Sequence, residues 1–276
     1  MEVNDRHESD LLFTGSIPEL YERFLVPLIF QPYADDLADR VAEIGTATVL
    51  EVAAGTGVVT RAIAARLPAD VAITSTDLNQ PMLDYAASIG TGDSVTWQQA
   101  DALNLPFDEG SFDTVVCQFG AMFFPDRARA YAESCRVLRS GGTLLFNVWD
   151  DIEHNEVPKV VNDSVALAFP RDPPGFLART PHGYHDTDLI RHELTEAGFS
   201  ARPSIDSLEA RSRAASCTHP AIGFCQGTPL RNEIEARDPS RLEEVTSIAA
   251  AAVGDRFGTT DIDGQIRAHV ITVVKQ

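Results

Sequence analysis

Glu51-Val52-Ala53-Ala54-Gly55-Thr56-Gly57 places one carboxylate and two glycines within seven residues, directly after an apolar, β-branched run. Glycines at this spacing let the backbone turn tightly and let a ligand approach where a Cβ would collide. Asp77 follows Gly57 by 20 residues, at the end of the next β-type run. A carboxylate there can accept both hydroxyls of an adenosine ribose. The chemistry suited to this pair is binding of an adenosine-bearing cofactor. The plainer alternative is a tight strand-to-helix turn with Asp77 as a helix cap. A nicotinamide dinucleotide wants a third glycine for helix–sheet packing and a helix N-terminus aimed at its pyrophosphate. Thr60 stands at that place, and Glu51 ahead of the turn would repel a pyrophosphate.

Proton-transfer candidates are fewer. His182, Tyr184 and His185 fall in a proline-rich stretch, with a substrate contact, a base or a solvated loop as alternative readings. Two histidines three apart suggest a metal only with a third ligand, and the sequence positions none. His154 and His219 stand in the same case. Cys117, Cys135, Cys217 and Cys225 are too scattered for a disulfide framework. Cys117 and Cys135 lie inside apolar patterns and read as buried free thiols. No metal is expected.

The elements that must position these residues alternate. Thr48–Val52 reads as a strand, with Val59, Ile63 and Leu67 on a helix that Pro68 closes. Val71–Thr76, Val95–Gln99 and Phe112–Cys117 read as further strands, and Pro81 sits in the first turn of a helix after the second. Ala128, Tyr131, Cys135 and Leu138 form one apolar helix face, with Asp126 as cap and Gly141-Gly142 as stop. Thr143–Val148 is a fifth strand. Strands alternating with helices imply parallel βαβ units. The fold class is α/β, a doubly wound, seven-stranded Rossmann-like sheet, mostly parallel with an antiparallel last strand.

Beyond that core, Val157, Val161 and Val165 line up on a helix, and Thr187–Ala197 is a helix with Thr187 as its cap and Gly198 as its stop. Ala201–Arg211 and Ala268–Val274 read as strands, with a helical stretch around Leu242, Val245 and Ile248 between them. The expected organisation is an N-terminal helical arm or cap over 1–44, a cofactor-binding core over 45–150, and a cap insertion over 151–186. The core continues over 187–214, a second insertion covers 215–264, and the last core strand is 265–276.

The 276 residues carry 41 acids against 22 bases, a net charge of −19. Such an excess argues against holding phosphate backbones over a wide face, so nucleic acid is not the expected partner. No run of about 18 apolar residues suggests a membrane span, and Met1–Asp10 lacks the basic start and apolar stretch of a secretory leader. A cytoplasmic protein acting on a small molecule is expected, with a homodimer left open.

Several motifs in order carry a resemblance. VLEVAAGTG is followed by TDLNQPML (Thr76–Leu83), then QADALNLPF (Gln99–Phe107), FDTVVCQFGAMFFPD (Phe112–Asp126) and RVLRSGGTLLF (Arg136–Phe146). Over Thr48–Val148 the chain resembles the class I S-adenosylmethionine-dependent methyltransferases, especially the ubiquinone and menaquinone (methyltransferase type 11) branch. The resemblance implies S-adenosylmethionine as cofactor and S-adenosylhomocysteine as product. It implies that Ala53, Gly55, Thr56 and Gly57 line the methionine part, with Glu51 oriented toward the amine end. Asp77 would hold the ribose, with Leu78 and Met82 against the adenine. Asp101 would accept from the adenine amino group, its rival role being a loop cap, with Ala100 and Ala102 giving backbone contacts. Gln118 and Phe119 would face the sulfonium. Family members often have glycine at Ala53, and alanine fits there if its φ is negative. Tyr21 and Arg23, in the helical arm Pro18–Ile44, are candidates to close over the cofactor carboxylate, against an ordinary amphipathic helix.

Methyltransferases of nucleic-acid amines carry Asp/Asn-Pro-Pro-aromatic after the fourth strand, where this chain has Gln118-Phe119-Gly120. Magnesium-dependent catechol-type enzymes need a carboxylate there, and Gln118 is neutral. Phe119, Met122, Phe123 and Phe124 suggest an apolar pocket wall, or else core packing. The reaction implied is in-line transfer of a methyl group to a small, partly apolar acceptor. The alternatives are a cofactor-binding sensor or assembly protein without catalysis, and an NAD-dependent oxidoreductase.

Overall fold

The structure, a computed structural model, describes residues 10, 11, 13, 15–91 and 94–276. The polar start over residues 1–9, and with it the leader reading, lies outside them. Seven strands form: β1 (Thr48–Val52), β2 (Ala72–Asp77), β3 (Val95–Gln99), β4 (Phe112–Gln118), β5 (Leu138–Trp149), β6 (Ser204–Ser216) and β7 (Thr260–Val274). They make one sheet in the order β3-β2-β1-β4-β5-β7-β6. The pairs β1–β2, β1–β4, β2–β3 and β4–β5 are parallel. Gly141 and Gly142 pair with Lys275 near the start of β5, and the Asp150 N–H donates to Arg267 O just past its end. That reversed order makes β7 antiparallel, as expected of the last strand. Val49 and Leu50 in β1 and Val115 and Val116 in β4 have no exposed surface. Strands covered on both faces require such unbroken apolar runs.

The chain divides into two compact units. The sheet unit comprises Tyr33–Val148, His185–Leu208 and Ala268–Gln276. Tyr33, Leu37 and Val41 of the helix Gln31–Ile44 are fully buried at helical spacing. The helix Val58–Ala64 follows β1 and passes into a turn over Ala65 and Arg66, with the Leu67 N–H still donating to Ile63 O at 3.0 Å. Asp126 caps Arg127–Val137, accepting the Arg129 N–H at 3.0 Å. Gly141-Gly142 does not stop that helix. The chain becomes extended at Leu138 (φ −70°, ψ 139°), and the glycine pair lies within β5, where Gly141 takes φ +81°. Asp186, not Thr187, caps Thr187–Glu196, since its carboxylate accepts the N–H groups of Asp188 and Leu189. Cys135 is half-buried, not buried as its apolar setting suggests, whereas Cys117 is buried.

The second unit comprises the described residues up to Pro32, Trp149–Tyr184 and Glu209–Arg267. Its helical arm passes from Ile17–Leu20 into a wide-turned segment, Tyr21–Phe30, that contains Pro27. Val157, Val161 and Val165 are buried on one side of Glu156–Ala168, as their spacing predicts. The helical stretch expected around Leu242, Val245 and Ile248 is the helix Leu242–Phe257. Two helices that the sequence reading did not place, Thr218–Gln226 and Leu230–Arg237, precede it. The strands run past their sequence-based ends, β6 to Ser216 and β7 from Thr260.

Candidate cofactor site

The site begins where β1 ends. The Ala54 N–H donates to Thr76 O and the Gly57 N–H to Ala54 O, both at 2.9 Å, closing the turn. Gly55 and Gly57 take φ of +56° and +81°, the region where glycine has no Cβ penalty. Ala53 also takes a positive φ, +56°. The expectation that alanine sits there with negative φ is therefore corrected. The conformation costs an L-residue about 1–2 kcal/mol, so the surroundings must hold it. Gly120 supplies the room: a Cβ built there would stand 2.5 Å from Ala53 Cβ and 2.7 Å from Cys117 Sγ.

Asp77 ends β2 and is buried. Its Oδ2 accepts the Gly55 N–H and its Oδ1 the Asn79 N–H, each at 2.8 Å, and its carbonyl accepts the Ala100 N–H at 3.0 Å. One residue thus joins the glycine turn, the helix entry and the end of β3. Burial pushes its carboxyl up, and the hydrogen bonds from Asn79 and Gly55 pull it back in part. Leu78 is 46% exposed, an unusual setting for leucine, while Met82 is buried. Asp101 is exposed and its Oδ1 accepts the Leu103 N–H at 2.9 Å, so the loop-capping role is present. Ala100 and Ala102 are half-buried beside it.

Glu51 is buried in β1. Its Oε2 accepts hydrogen bonds from Thr60 Oγ1 and, at 3.0 Å, from Ser75 Oγ. Burial pushes its carboxyl up to about 7, against the pull of those hydroxyls. The residue standing where a dinucleotide-binding turn has its third glycine is therefore employed in holding a carboxylate. At the end of β4, Gln118 is half-buried and Phe119 is buried with φ +49°. Phe119 meets the Tyr33 ring edge-on, centroids 5.3 Å apart. Met122 is buried, and Phe123 and Phe124 are half-buried. Burial pushes the Cys117 thiol up to about 12, which removes it as a nucleophile.

A methyltransferase domain family model matches residues 50–146. The chain is 37% identical over 214 residues to a ubiquinone/menaquinone biosynthesis C-methyltransferase UbiE of Citrifermentans bemidjiense, covering 71% of this chain and 90% of that protein. The UbiE of Idiomarina loihiensis is 30% identical over 171 residues, 55% of this chain and 65% of that protein. The YcgJ protein of Bacillus subtilis superposes with a TM-score of 0.55 at 20% identity, covering 89% of this chain and 99% of that one. The chain belongs to the class I S-adenosylmethionine-dependent methyltransferases, in the branch of UbiE.

The residues of the methyltransferase fit that cofactor. Thr56 Oγ1, inside the glycine turn, is buried with no hydrogen-bond partner among the described residues. Buried polar atoms are ordinarily paired, so this hydroxyl suits a polar ligand group. Exposed Leu78 stands beside the buried carboxylate of Asp77, an apolar face next to a hydrogen-bond acceptor.

The other candidates from the sequence belong to the second unit, apart from His185, which opens a segment of the sheet unit and is half-buried. Tyr21 stacks on Phe30 (4.8 Å, 21°), and Arg23 is exposed over the Phe24 ring. Tyr184 is buried. His182 is buried too, not solvated, with Nδ1 2.8 Å from Asp150 O. A carbonyl accepts only, so Nδ1 carries the proton in the neutral ring. Among the described residues no three His, Cys, Asp or Glu side chains converge as a metal site, and no helix is long and apolar enough to cross a membrane.

Sequence reasoning missed Ser75 and Asn147, and met Thr60 only as the residue at the third-glycine place, not as a partner of Glu51. The available signal for Asn147 is an amide inside the otherwise apolar run Leu144–Trp149.

Proposed function

We propose that this methyltransferase transfers its methyl group by in-line displacement to a small, partly apolar acceptor. The names of its relatives, C-methyltransferases of ubiquinone and menaquinone biosynthesis, suggest a quinol-type ring carbon. The observation that carries the reading is the segment after β4. Phe119, Met122, Phe123 and Phe124 include two half-exposed rings and no ionisable side chain, and the intervening Gly120 packs on Ala53 of the cofactor turn.

Asp77 would accept the ribose hydroxyls, Leu78 and Met82 would cover the adenine, and Asp101 would accept from its amino group. Ala53, Gly55, Thr56 and Gly57 would line the methionine end, with Gln118 and Phe119 toward the sulfonium. Bound S-adenosylmethionine supplies a methyl group already activated toward nucleophiles. What the protein adds is alignment and exclusion of water. The apolar segment after β4 serves both by offering a flat ring a dry surface.

Calorimetric titration with S-adenosylmethionine, S-adenosylhomocysteine and NAD, followed by a screen of quinols, phenols and amines for methyl uptake, tests this. The expected result is binding of the two sulfur nucleotides and methylation of a ring acceptor. Phe123→Ala should then raise the acceptor KM and spare cofactor affinity. Binding of NAD alone, or equal loss of both affinities in the variant, counts against the proposal.

A further inference from the structure

Asn147 lies in β5 opposite Gln118 of β4 and has no exposed surface. A buried amide costs free energy unless its atoms are paired. Its Oδ1 accepts the Phe119 N–H at 2.9 Å, and its main-chain O accepts the same N–H at 3.2 Å. That donor fixes the orientation of the amide, since a flip would set two donors face to face. Nδ2 is left buried with no partner among the described residues.

This is a poor solution for packing alone. A leucine of similar size would bury no orphaned donor, and the Phe119 N–H would keep the main-chain O as acceptor. What the amide adds is a second hold on Phe119, whose φ of +49° is costly for a side-chain-bearing residue. Phe119 leads into Gly120, where any Cβ would stand 2.5 Å from Ala53 Cβ and force one of the two to shift. Two left-handed, non-glycine residues, Ala53 after β1 and Phe119 after β4, therefore interlock through Gly120. Such outliers persist only where the surrounding structure over-determines them.

We infer that Asn147 is a positioning residue for methyl transfer: it holds Phe119 left-handed and so presses the Phe119–Gly120 turn against the cofactor loop at Ala53. The inference rests on the cofactor reading given above.

The test compares the full chain with Asn147→Leu and Asn147→Asp, by titration with S-adenosylhomocysteine and by thermal melting. Leucine is expected to weaken S-adenosylhomocysteine binding ~tenfold, through displacement of the turn, with little change in melting temperature. Aspartate, which keeps an oxygen toward the Phe119 N–H, is expected to bind as wild type does. A merely structural role would lower the melting temperature and leave the affinity of the folded protein unchanged. Unchanged affinity in the leucine variant, or equal loss in both variants, overturns the inference. Should Asn147→Leu fail to fold, Asn147→Ser, too short to reach the Phe119 N–H, takes its place with the same expected loss, and unchanged affinity there overturns it. If wild type itself binds no S-adenosylhomocysteine, the cofactor reading falls and this inference with it. Binding by wild type with unaltered variants removes the positioning role alone.

Discussion

Asp77 and Gly55 share a hydrogen bond that ties the end of β2 to the turn after β1, Oδ2 accepting the Gly55 N–H at 2.8 Å while Oδ1 accepts the Asn79 N–H. Each carboxylate oxygen has a second lone-pair site. Oδ1 also accepts from the Asn79 side-chain amide, at 3.5 Å. Asp77 can therefore brace the turn and accept one ligand hydroxyl at Oδ2, and a second at Oδ1 by displacing that long amide contact. Together with Ala53, Gly55, Gly57 and Gly120, it braces the turn after β1 without any ligand.

Replacing Asp77 tests both jobs together. In Asp77→Asn one side of the amide is a donor and must face the N–H of Gly55 or of Asn79, so the brace breaks. Loss of a charge-assisted hydrogen bond is worth about 1.5–3 kcal/mol. Affinity for S-adenosylhomocysteine is expected to fall by roughly 10- to 100-fold, and further in Asp77→Ala. Calorimetry reads this directly, and wild-type affinity in either variant would refute the assignment.

Glu51 makes stability depend on pH in an uncommon direction. Burial raises its carboxyl to about 7 in the folded protein, against about 4.3 in an unfolded chain. Between those values the folded state holds a proton that the unfolded state has lost. The contribution is thus fully present below about pH 4.3 and is lost as pH rises through 7, amounting to roughly 4 kcal/mol. Burial moves Asp77 in the same direction. Glu51→Gln keeps an acceptor for Thr60 and Ser75 but cannot ionise. Its melting temperature should therefore fall less than that of wild type between pH 5 and pH 8, and parallel curves would contradict this.

Ala53 and Gly120 should behave as a coupled pair. Gly120→Ala forces a Cβ against Ala53 Cβ and Cys117 Sγ, at 2.5 and 2.7 Å. Overpacking of this kind costs about 1–3 kcal/mol. Ala53→Gly relieves a left-handed alanine, worth about 1–2 kcal/mol, and loses about 0.5–1 kcal/mol to chain entropy, so it should be neutral to slightly stabilising. The double variant should recover part of the Gly120→Ala loss, because one of the two colliding atoms is gone. Denaturant midpoints of the four proteins give the coupling, and strict additivity would show that the two residues do not communicate.

The parts of the fold legible in the sequence are those written in periodic, local signals. β1 and β3 have the bounds read from their residues, and β2 and β4 differ by one residue at one or both ends. β1 and β4 are buried apolar runs, and β3, a polar edge strand, is marked by its β-branched and aromatic start. Punctuation was less reliable: Gly141-Gly142 resembles a helix stop, yet it serves the pairing of β5 with β7 at Lys275. Asp186 takes the cap from Thr187 because its carboxylate reaches two N–H groups. The contacts between Asn147 and Phe119, 28 positions apart, and between Ser75 and Glu51, 24 apart, leave no periodic trace. The sign of φ at Ala53 depends on Gly120 in another strand-end turn, so no local pattern announces it.

Arg179 offers a test in the second unit. Its Nη2 meets Asp10 Oδ1 and Oδ2 at 2.9 and 2.8 Å and Glu233 Oε1 at 2.9 Å. Asp10 also accepts from Thr180 Oγ1 and Glu233 from the Gly175 N–H, and both carboxylates are buried. Arg179→Met would leave two buried carboxylates without their shared cation. Removing one partner of a fully buried ion pair costs about 3–5 kcal/mol. Arg179 is one-third exposed and Glu233 keeps Arg237 at 3.9 Å, so about 1–3 kcal/mol is expected. In a protein of this size that lowers the melting temperature by roughly 5 °C. Adding Asp10→Asn and Glu233→Gln to that variant removes the uncompensated charges while keeping acceptors for Thr180 and Gly175. The triple variant should therefore melt well above Arg179→Met alone. If the two melt together, the cost lies in the lost packing of the arginine stem and not in stranded charge.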